Sequence, residues 1–373
     1  MKNIHLLYSY LAKTQNWLYE LFKEMVNPLV ISEYTKNLQE FPYTNLIGCD
    51  SKLSGIPGKI ETKLKYYYRV NREISSSGNI PVVHSHFGHK GYKDSKFIFC
   101  DCRHVVSFYG YDASMLLGKD KWRRRYRKLS KKSDKFLVLG KNMKEKFVNI
   151  GIPEDKIKIF HLGVDLNKLE YNLKIPSKDE RTVFLIASSF NKKKGIPTAI
   201  KAFNKFYQNN RNCELRIIGD IPNRSKAYVK YKNRILDLIN KTEAKKNIKL
   251  MGYVSYEELI ENMMNAHFLL HPSVTEKNGN QEGTPMAIIN SMGIGTLVLS
   301  TFHSDIPEII KHKEEGLLVE ERDYESLAGF MQKYSNDADK YKSIVKNARK
   351  KIEKEFNVKK QSKKLMEIYK SLE

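Results

Sequence analysis

Apolar residues in this chain cluster in short continuous runs instead of alternating one by one with polar residues. In the first half these runs are PVVH at 81–84, HVVSF at 104–108 and KFLVL at 135–139. In the second half they are TVFLI at 182–186, ELRII at 214–218, AHFLL at 266–270 and TLVLS at 296–300. Continuous runs of this length suit strands buried on both faces, as in a parallel sheet. Between them lie amphipathic stretches of helical period, such as 194–209 and 256–265. Repeated strand–helix units predict an α/β fold with helices on both faces of parallel sheets. The last stretch, 358–372, predicts an amphipathic helix.

The chain has 373 residues, enough for two domains that each bury a core. A boundary is expected at 172–181, NLKIPSKDER, a polar segment with a proline that precedes a fresh strand. The expected domains are 1–171 and 182–354, with a terminal segment 355–373. No apolar run approaches the roughly 20 residues of a membrane span. The opening MKNIHLLYSYLAKTQNW has neither a full apolar signal region nor a small-residue cleavage site. It reads as a strand and turn, so a cytoplasmic protein is expected.

Charge widens the range of partners. Lys plus Arg is 66 and Asp plus Glu is 42, a net charge of +24. Such a field attracts polyanions: nucleic acid, an anionic membrane or phosphate-bearing substrates. The segment 119–135, KDKWRRRYRKLSKKSDK, concentrates this charge around Trp122 and Tyr126. That mixture suits an anionic membrane surface or single-stranded nucleic acid. Membrane or lipid-diphosphate contact is the preferred reading, a merely solvated basic helix is the alternative, and no nucleic acid is expected. The cysteines Cys49, Cys100, Cys102 and Cys213 include one C-x-C but no second pair to complete a zinc site, so reduced core thiols are expected. Asp337-Ala338-Asp339 reads as a helix start, and no metal site is expected.

The segment 282–295, EGTPMAIINSMGIG, carries most of the chemistry. Gly283 and Thr284 form a turn, and Pro285 suits the first position of a helix. The free N–H groups and positive dipole end of that helix form a site for a diphosphate. Glu282 stands just before it. Asn290, eight residues on, falls on roughly the same side of the helix.

These residues and others in order resemble the family-4 retaining glycosyltransferases with the GT-B fold. The run EGTPMAIINSMGIGTLVLSTFHSDIPEII resembles their donor-site segment. Ser107-Phe108-Tyr109-Gly110-Tyr111-Asp112 resembles their F-(H/Y)-G-x-D block, and His86-Phe87-Gly88 their acceptor-domain loop. His161-Leu162-Gly163-Val164-Asp165 matches the G-V-D turn, and Lys193-Lys194-Gly195 the K-G that follows the first strand of the second domain. Gly252-Tyr253-Val254 and His271-Pro272-Ser273 also fit. Thr14-Gln15-Asn16-Trp17 is similar to the opening of colanic-acid and exopolysaccharide transferases.

The resemblance implies two Rossmann-like domains facing across a cleft, with the last helix packing back on the first. It implies a UDP- or GDP-sugar donor bound by the second domain and a glycan or lipid-linked acceptor bound by the first. No cofactor is implied. Lys194 would contact the donor diphosphate, and Glu282 would lie near the transferred sugar. Gly283, Thr284, Pro285 and Met286 would build the donor loop. Asn290 stands where the family usually has a glutamate on the donor ribose. Ser189 stands where an arginine is usual, with Lys192 and Lys193 as candidates to replace its charge. Tyr109 takes the place of a frequent histidine near the reacting centre; positioning and plain packing both remain open. Asp112, beside Gly110, would bind an acceptor hydroxyl or cap a following helix, and His86 would touch donor or acceptor. Two alternatives stay open: another enzyme of this fold, such as a phosphorylase or epimerase, and a non-catalytic scaffold or nucleic-acid binder.

Overall fold

The computed structural model describes residues 2–177 and 179–373. Met1 and Lys178, the latter within the expected linker, lie outside the described residues. The chain forms two compact units, 1–165 with 357–373, and 166–356. The expected boundary at 172 shifts to 165/166 for a local reason: the Asn172 N–H donates to the carbonyl of Ile294 at 2.6 Å, so that segment already belongs to the second unit.

The first unit holds seven parallel strands in the order β3-β2-β1-β4-β5-β6-β7. They are β1 (Asn3–Tyr10), β2 (Leu29–Thr35), β3 (Leu46–Gly48), β4 (Val82–His86), β5 (Arg103–Ser107), β6 (Lys135–Val138) and β7 (Ile157–Ile159). Its helices are α1 (Asn16–Glu24), α2 (Gly55–Ser75), α3 (Gly88–Phe97), α4 (Asp120–Ser130) and α5 (Lys141–Asn149). The second unit holds β8 (Thr182–Ala187), β9 (Cys213–Ile218), β10 (Ile248–Gly252), β11 (Phe268–His271), β12 (Leu297–Thr301) and β13 (Leu317–Val319), all parallel, in the order β10-β9-β8-β11-β12-β13. Its helices are α6 (Ile196–Asn209), α7 (Lys226–Asn240), α8 (Tyr256–Met264), α9 (Met286–Ile294), α10 (Ile306–Ile309), α11 (Tyr324–Ser335) and α12 (Ala338–Glu355). The chain then returns to the first unit as α13 (Val358–Lys370).

Each sheet is doubly wound. Strand order reverses between β1 and β4 in the first unit and between β8 and β11 in the second. Ligands of open α/β sheets bind beyond the carboxyl ends of the strands at that reversal, because the connecting loops diverge there and leave a crevice. Apolar packing fixes the strands on either side. In the second unit the rings of Phe184 and Phe268, on paired strands, stack at 5.0 Å, and Phe206 of α6 meets Phe184 edge-on. In the first unit α13 lies against α1, with Ser362 Oγ donating to the Glu24 carbonyl. Among the described residues no helix is long and apolar enough to cross a membrane. Asp337 caps α12, accepting the Lys340 N–H, which accounts for the D-x-D. All four cysteines are free thiols.

Candidate active site

At the reversal in the second unit, the loop after β8 is pressed onto the loop after β11. Gly195 has φ 63°, and a Cβ there would lie 1.7 Å from the Pro272 carbonyl oxygen. Only glycine permits that approach. The Val274 N–H donates to the Lys193 carbonyl at 2.8 Å and secures the same junction. The two loops therefore hold Lys193 and Lys194 in place.

Both ammonium groups converge on Glu282. Lys194 Nζ is 2.9 Å from Glu282 Oε1, and Lys193 Nζ is 3.5 Å from Oε2. Burial alone would raise the Glu282 pKa, but the two lysines outweigh it and hold the carboxyl well below the usual carboxylate range. Burial, with repulsion from Lys193, lowers the Lys194 pKa, and Glu282 partly offsets the shift. The result is an ionised carboxylate between two cations. Lys192 is exposed, so of the two candidates to replace an arginine, Lys193 is the one aimed at this group.

Helix α9 begins at Met286, with Pro285 as its N-cap and not, as expected, its first residue. Gly295, at φ 111°, ends it. Gly283, Thr284 and Pro285 are buried, and Met286 is half-buried at the helix start. Asn290 is 4% exposed, and its Oδ1 has no hydrogen-bond partner. His271 Nε2 and the hydroxyls of Ser188 and Ser273 are likewise buried without partners. Buried polar atoms left unpaired cost free energy unless a ligand or water pairs them. Ser189 is half-buried beside Ser188.

Sequence reasoning missed the groups behind Glu282. The Glu282 N–H donates to His303 Nε2 at 3.0 Å, so the other ring nitrogen, Nδ1, carries the proton and donates to Glu321 at 2.6 Å. Ser304 Oγ donates to the Glu282 carbonyl. His303 lies within the donor-segment run, but nothing in its spacing marks it as a support for residue 282.

In the first unit, the loops after β4 and β5 meet at Asp112. Its Oδ2 accepts the Gly88 N–H at 2.8 Å, and its Oδ1 accepts those of Tyr109 and Gly110 at 3.0 Å each. Asp112 thus clamps the two loops. Turns, not a helix, follow it, so it caps none, and its fully buried carboxylate is already engaged. Phe87, next to His86, has φ 73°, a strained value for a bulky residue, held by this clamp. Tyr109 donates to, or accepts from, His86 Nδ1 at 2.6 Å, and its ring lies 4.8 Å from that of Trp17. Burial raises the phenol pKa, so Tyr109 holds its proton and serves as a hydrogen-bonding group, not a base.

Behind Tyr109 runs a buried relay. His86 Nε2 bonds to His5 Nδ1 at 2.9 Å, and His84 bonds to Tyr369 of α13 at 2.6 Å and to Ser107 at 2.7 Å. Ligand nitrogens of His5, His84 and His86 come within 4.8 Å of one another. Each of these histidines also has a hydrogen-bond partner, and the His84 and His86 rings stack at 4.4 Å, so the cluster forms a buried hydrogen-bonded relay.

The profile described as Glycosyltransferase Family 4 matches residues 27–168, and that described as Glycosyl transferases group 1 matches 167–351. The chain belongs to the family-4 glycosyltransferases of GT-B fold. An Escherichia coli glycosyltransferase named for colanic acid biosynthesis is 28% identical over 76% of this chain and 69% of its own length. An Erwinia amylovora glycosyltransferase named for amylovoran biosynthesis is 28% identical over 73% of this chain and 65% of its own length. The chain thus spans about two thirds of these relatives. Among solved structures, an Anabaena protein (Alr3699/HepE) in complex with UDP superimposes with TM-score 0.80 at 15% identity, covering 100% of both chains. A Rickettsia africae glycosyltransferase does so with TM-score 0.76 at 18% identity, covering 99% of this chain and 98% of its own.

Proposed function

We propose that this glycosyltransferase moves a hexosyl unit from a UDP- or GDP-sugar to a glycan or lipid-linked acceptor in surface polysaccharide synthesis, with retention at the anomeric carbon. The observation that carries the reading is the Lys193–Glu282–Lys194 group at the start of α9. Breaking a sugar–phosphate bond places negative charge on the departing diphosphate. Two fixed ammonium groups and a helix N-terminus stabilise that charge, most strongly where water is scarce. Glu282, kept ionised, faces the positive charge that develops on the sugar. The unpaired Oδ1 of Asn290 accepts from a ribose hydroxyl, and Ser189 bonds a phosphate oxygen. In this scheme the leaving phosphate takes the acceptor's proton on the same face, and neither cofactor nor metal ion is required.

On the acceptor side, Tyr109 and His86 donate or accept hydrogen bonds at the β4 and β5 loops, which Asp112 holds in register through the Gly88 and Gly110 N–H groups. The names of the Escherichia coli and Erwinia relatives support the polysaccharide assignment, and the UDP complex of the Anabaena protein supports a nucleotide-sugar donor. The working location is the cytoplasm, at the inner face of the plasma membrane.

The test is donor turnover. Incubation with UDP- and GDP-hexoses should release the matching nucleoside diphosphate slowly without acceptor, the free sugar appearing first in the donor's anomeric configuration by NMR. First appearance of the opposite anomer would refute retention. Isomerised donor, or turnover only with inorganic phosphate, would support an epimerase or phosphorylase instead.

A further inference from the structure

Six polar groups at the strand reversal of the first unit form a circuit. His84 and His86 stand two residues apart on β4, so both project from one face of the sheet, and His5 lies beside His84 across the β1–β4 pairing. Helix α13 brings Tyr369, fully buried, to this face. Starting from the half-buried Tyr109, its hydroxyl meets His86 Nδ1 at 2.6 Å, His86 Nε2 meets His5 Nδ1 at 2.9 Å, and His5 Nε2 meets the Tyr369 hydroxyl at 3.4 Å. The Tyr369 hydroxyl also meets His84 Nδ1 at 2.6 Å, and His84 Nε2 meets Ser107 Oγ at 2.7 Å. Ser107 in turn hydrogen-bonds Tyr109, which closes the circuit.

Counting protons decides what Tyr109 offers to a substrate. Burial, with repulsion among the histidines, keeps all three imidazoles neutral, so each has one N–H and one bare nitrogen. The two phenols and the serine have one O–H each. Six groups therefore bring six protons to six contacts. The count closes only when every group donates to one neighbour and accepts from the other. The circuit runs in either direction, and in both the Tyr109 proton is spent within it, on His86 or on Ser107. Tyr109 then presents only a lone pair outward. Turning its O–H outward would leave one contact without a proton, with two buried lone pairs facing each other. Removing the Tyr369 hydroxyl changes the count. Five protons then serve four contacts, and Tyr109 can accept from both His86 and Ser107 while its own proton points outward.

We propose that Tyr369 is a positioning residue for sugar transfer: by completing the circuit it fixes the Tyr109 hydroxyl as a hydrogen-bond acceptor, so that the substrate group meeting Tyr109 is a sugar hydroxyl that donates. This rests on the transfer reading above, in which Tyr109 stands on the acceptor side of the reaction. Helix α13 thereby sets the polarity of a group in the site through His84 and His5, without itself touching substrate.

The test pairs a spectroscopic readout with a kinetic one. In the full chain carrying isotope-labelled histidine, NMR at neutral pH should show His5, His84 and His86 neutral, and Tyr369→Phe should shift the His86 signals through His5. In release of nucleoside diphosphate from UDP- and GDP-hexoses, Tyr369→Phe should lower kcat about fivefold, the worth of one neutral hydrogen bond, with donor KM unchanged. Tyr109→Phe combined with Tyr369→Phe should be no slower than Tyr109→Phe alone, because the circuit acts only through the phenol. Ser107→Ala opens the circuit on its other side and should reproduce the kinetic pattern, which keeps the test decisive if Tyr369→Phe fails to fold. Three results would overturn the proposal: His86 signals unmoved by Tyr369→Phe, losses that multiply in the double variant, or a bound metal ion whose removal by a chelator changes the signals of the three histidines. Shifted His86 signals in a protein that releases no nucleoside diphosphate would overturn the transfer reading, and with it the role of Tyr369 in transfer, while the circuit itself stood.

Discussion

Acid should unfold the first unit well above the pH at which its carboxylates titrate, and the cause is a set of four buried histidines, three of them in the relay. His5, His84, His86 and His104 are each at most 3% exposed. Burial pushes the His5 pKa down to about 3. It pushes that of His104 down to about 4 against an opposing pull from Asp134. Burial, helped by mutual repulsion, holds His84 and His86 well below the ordinary value. A depressed folded pKa means that the stability is present above the unfolded pKa, near 6.5, and is lost as pH falls towards the folded one. At about pH 5 His5 and His104 each cost roughly 2 kcal/mol, 1.5 pH units at about 1.36 kcal/mol per unit. Together they cost roughly 4 kcal/mol, a large share of the roughly 5–15 kcal/mol that holds an ordinary domain, and His84 and His86 add to it in the same direction.

The chain's two tryptophans, Trp17 and Trp122, both lie in the first unit, so their fluorescence reports its unfolding alone. Urea titrations at about pH 7.5 and about pH 5 should differ by most of that amount, with the midpoint falling as pH falls. A midpoint that stays constant between those values would refute the reasoning, because it would mean that the histidines accept protons without leaving the fold.

Other substitutions separate the roles assigned above. Tyr109→Phe keeps the ring but removes the bond to His86. Turnover should fall less than about tenfold with an unchanged pH profile, as for a group that positions and does not abstract a proton. Asn290→Ala removes an unpaired acceptor, so donor KM should rise about fivefold at little cost in kcat, the worth of one neutral hydrogen bond of about 1 kcal/mol. Gly195→Ala forces a Cβ onto the Pro272 carbonyl at positive φ and should lower the melting temperature of the second unit by several degrees, read by calorimetry.

Legibility in the sequence followed strand length and burial, with β2 (Leu29–Thr35), buried over its first five residues yet absent from the expected strands, as the exception. The continuous runs that form β4, β5, β6, β8, β9, β11 and β12 are visible because both faces of each strand are covered. The three-residue strands β3, β7 and β13 are too short to carry a pattern. Strand β10, IKLMG, lies at a sheet edge with exposed positions and offers no continuous buried run. In the candidate site, Glu282 could be found because it stands just before the helix that follows β11, and Lys194 through the resemblance of its K-G to the family's. His303 and Glu321 could not, since their role depends on a hydrogen bond to a backbone N–H that only the fold creates. Asp112 stands out through the family resemblance of its block, yet its carboxylate is spent on Gly88, Tyr109 and Gly110, a contact across two loops that no spacing rule reveals.

The central claim is that a nucleotide sugar binds through Lys194 at the start of α9. Calorimetric titration of UDP, GDP, ADP and CDP into the native protein and into Lys194→Ala tests it directly. The account predicts that UDP or GDP binds the native protein and binds the variant roughly 10- to 100-fold more weakly, the loss of one charge-assisted contact of about 1.5–3 kcal/mol. Equal affinity of native protein and variant, or no binding of any of the four, would contradict it.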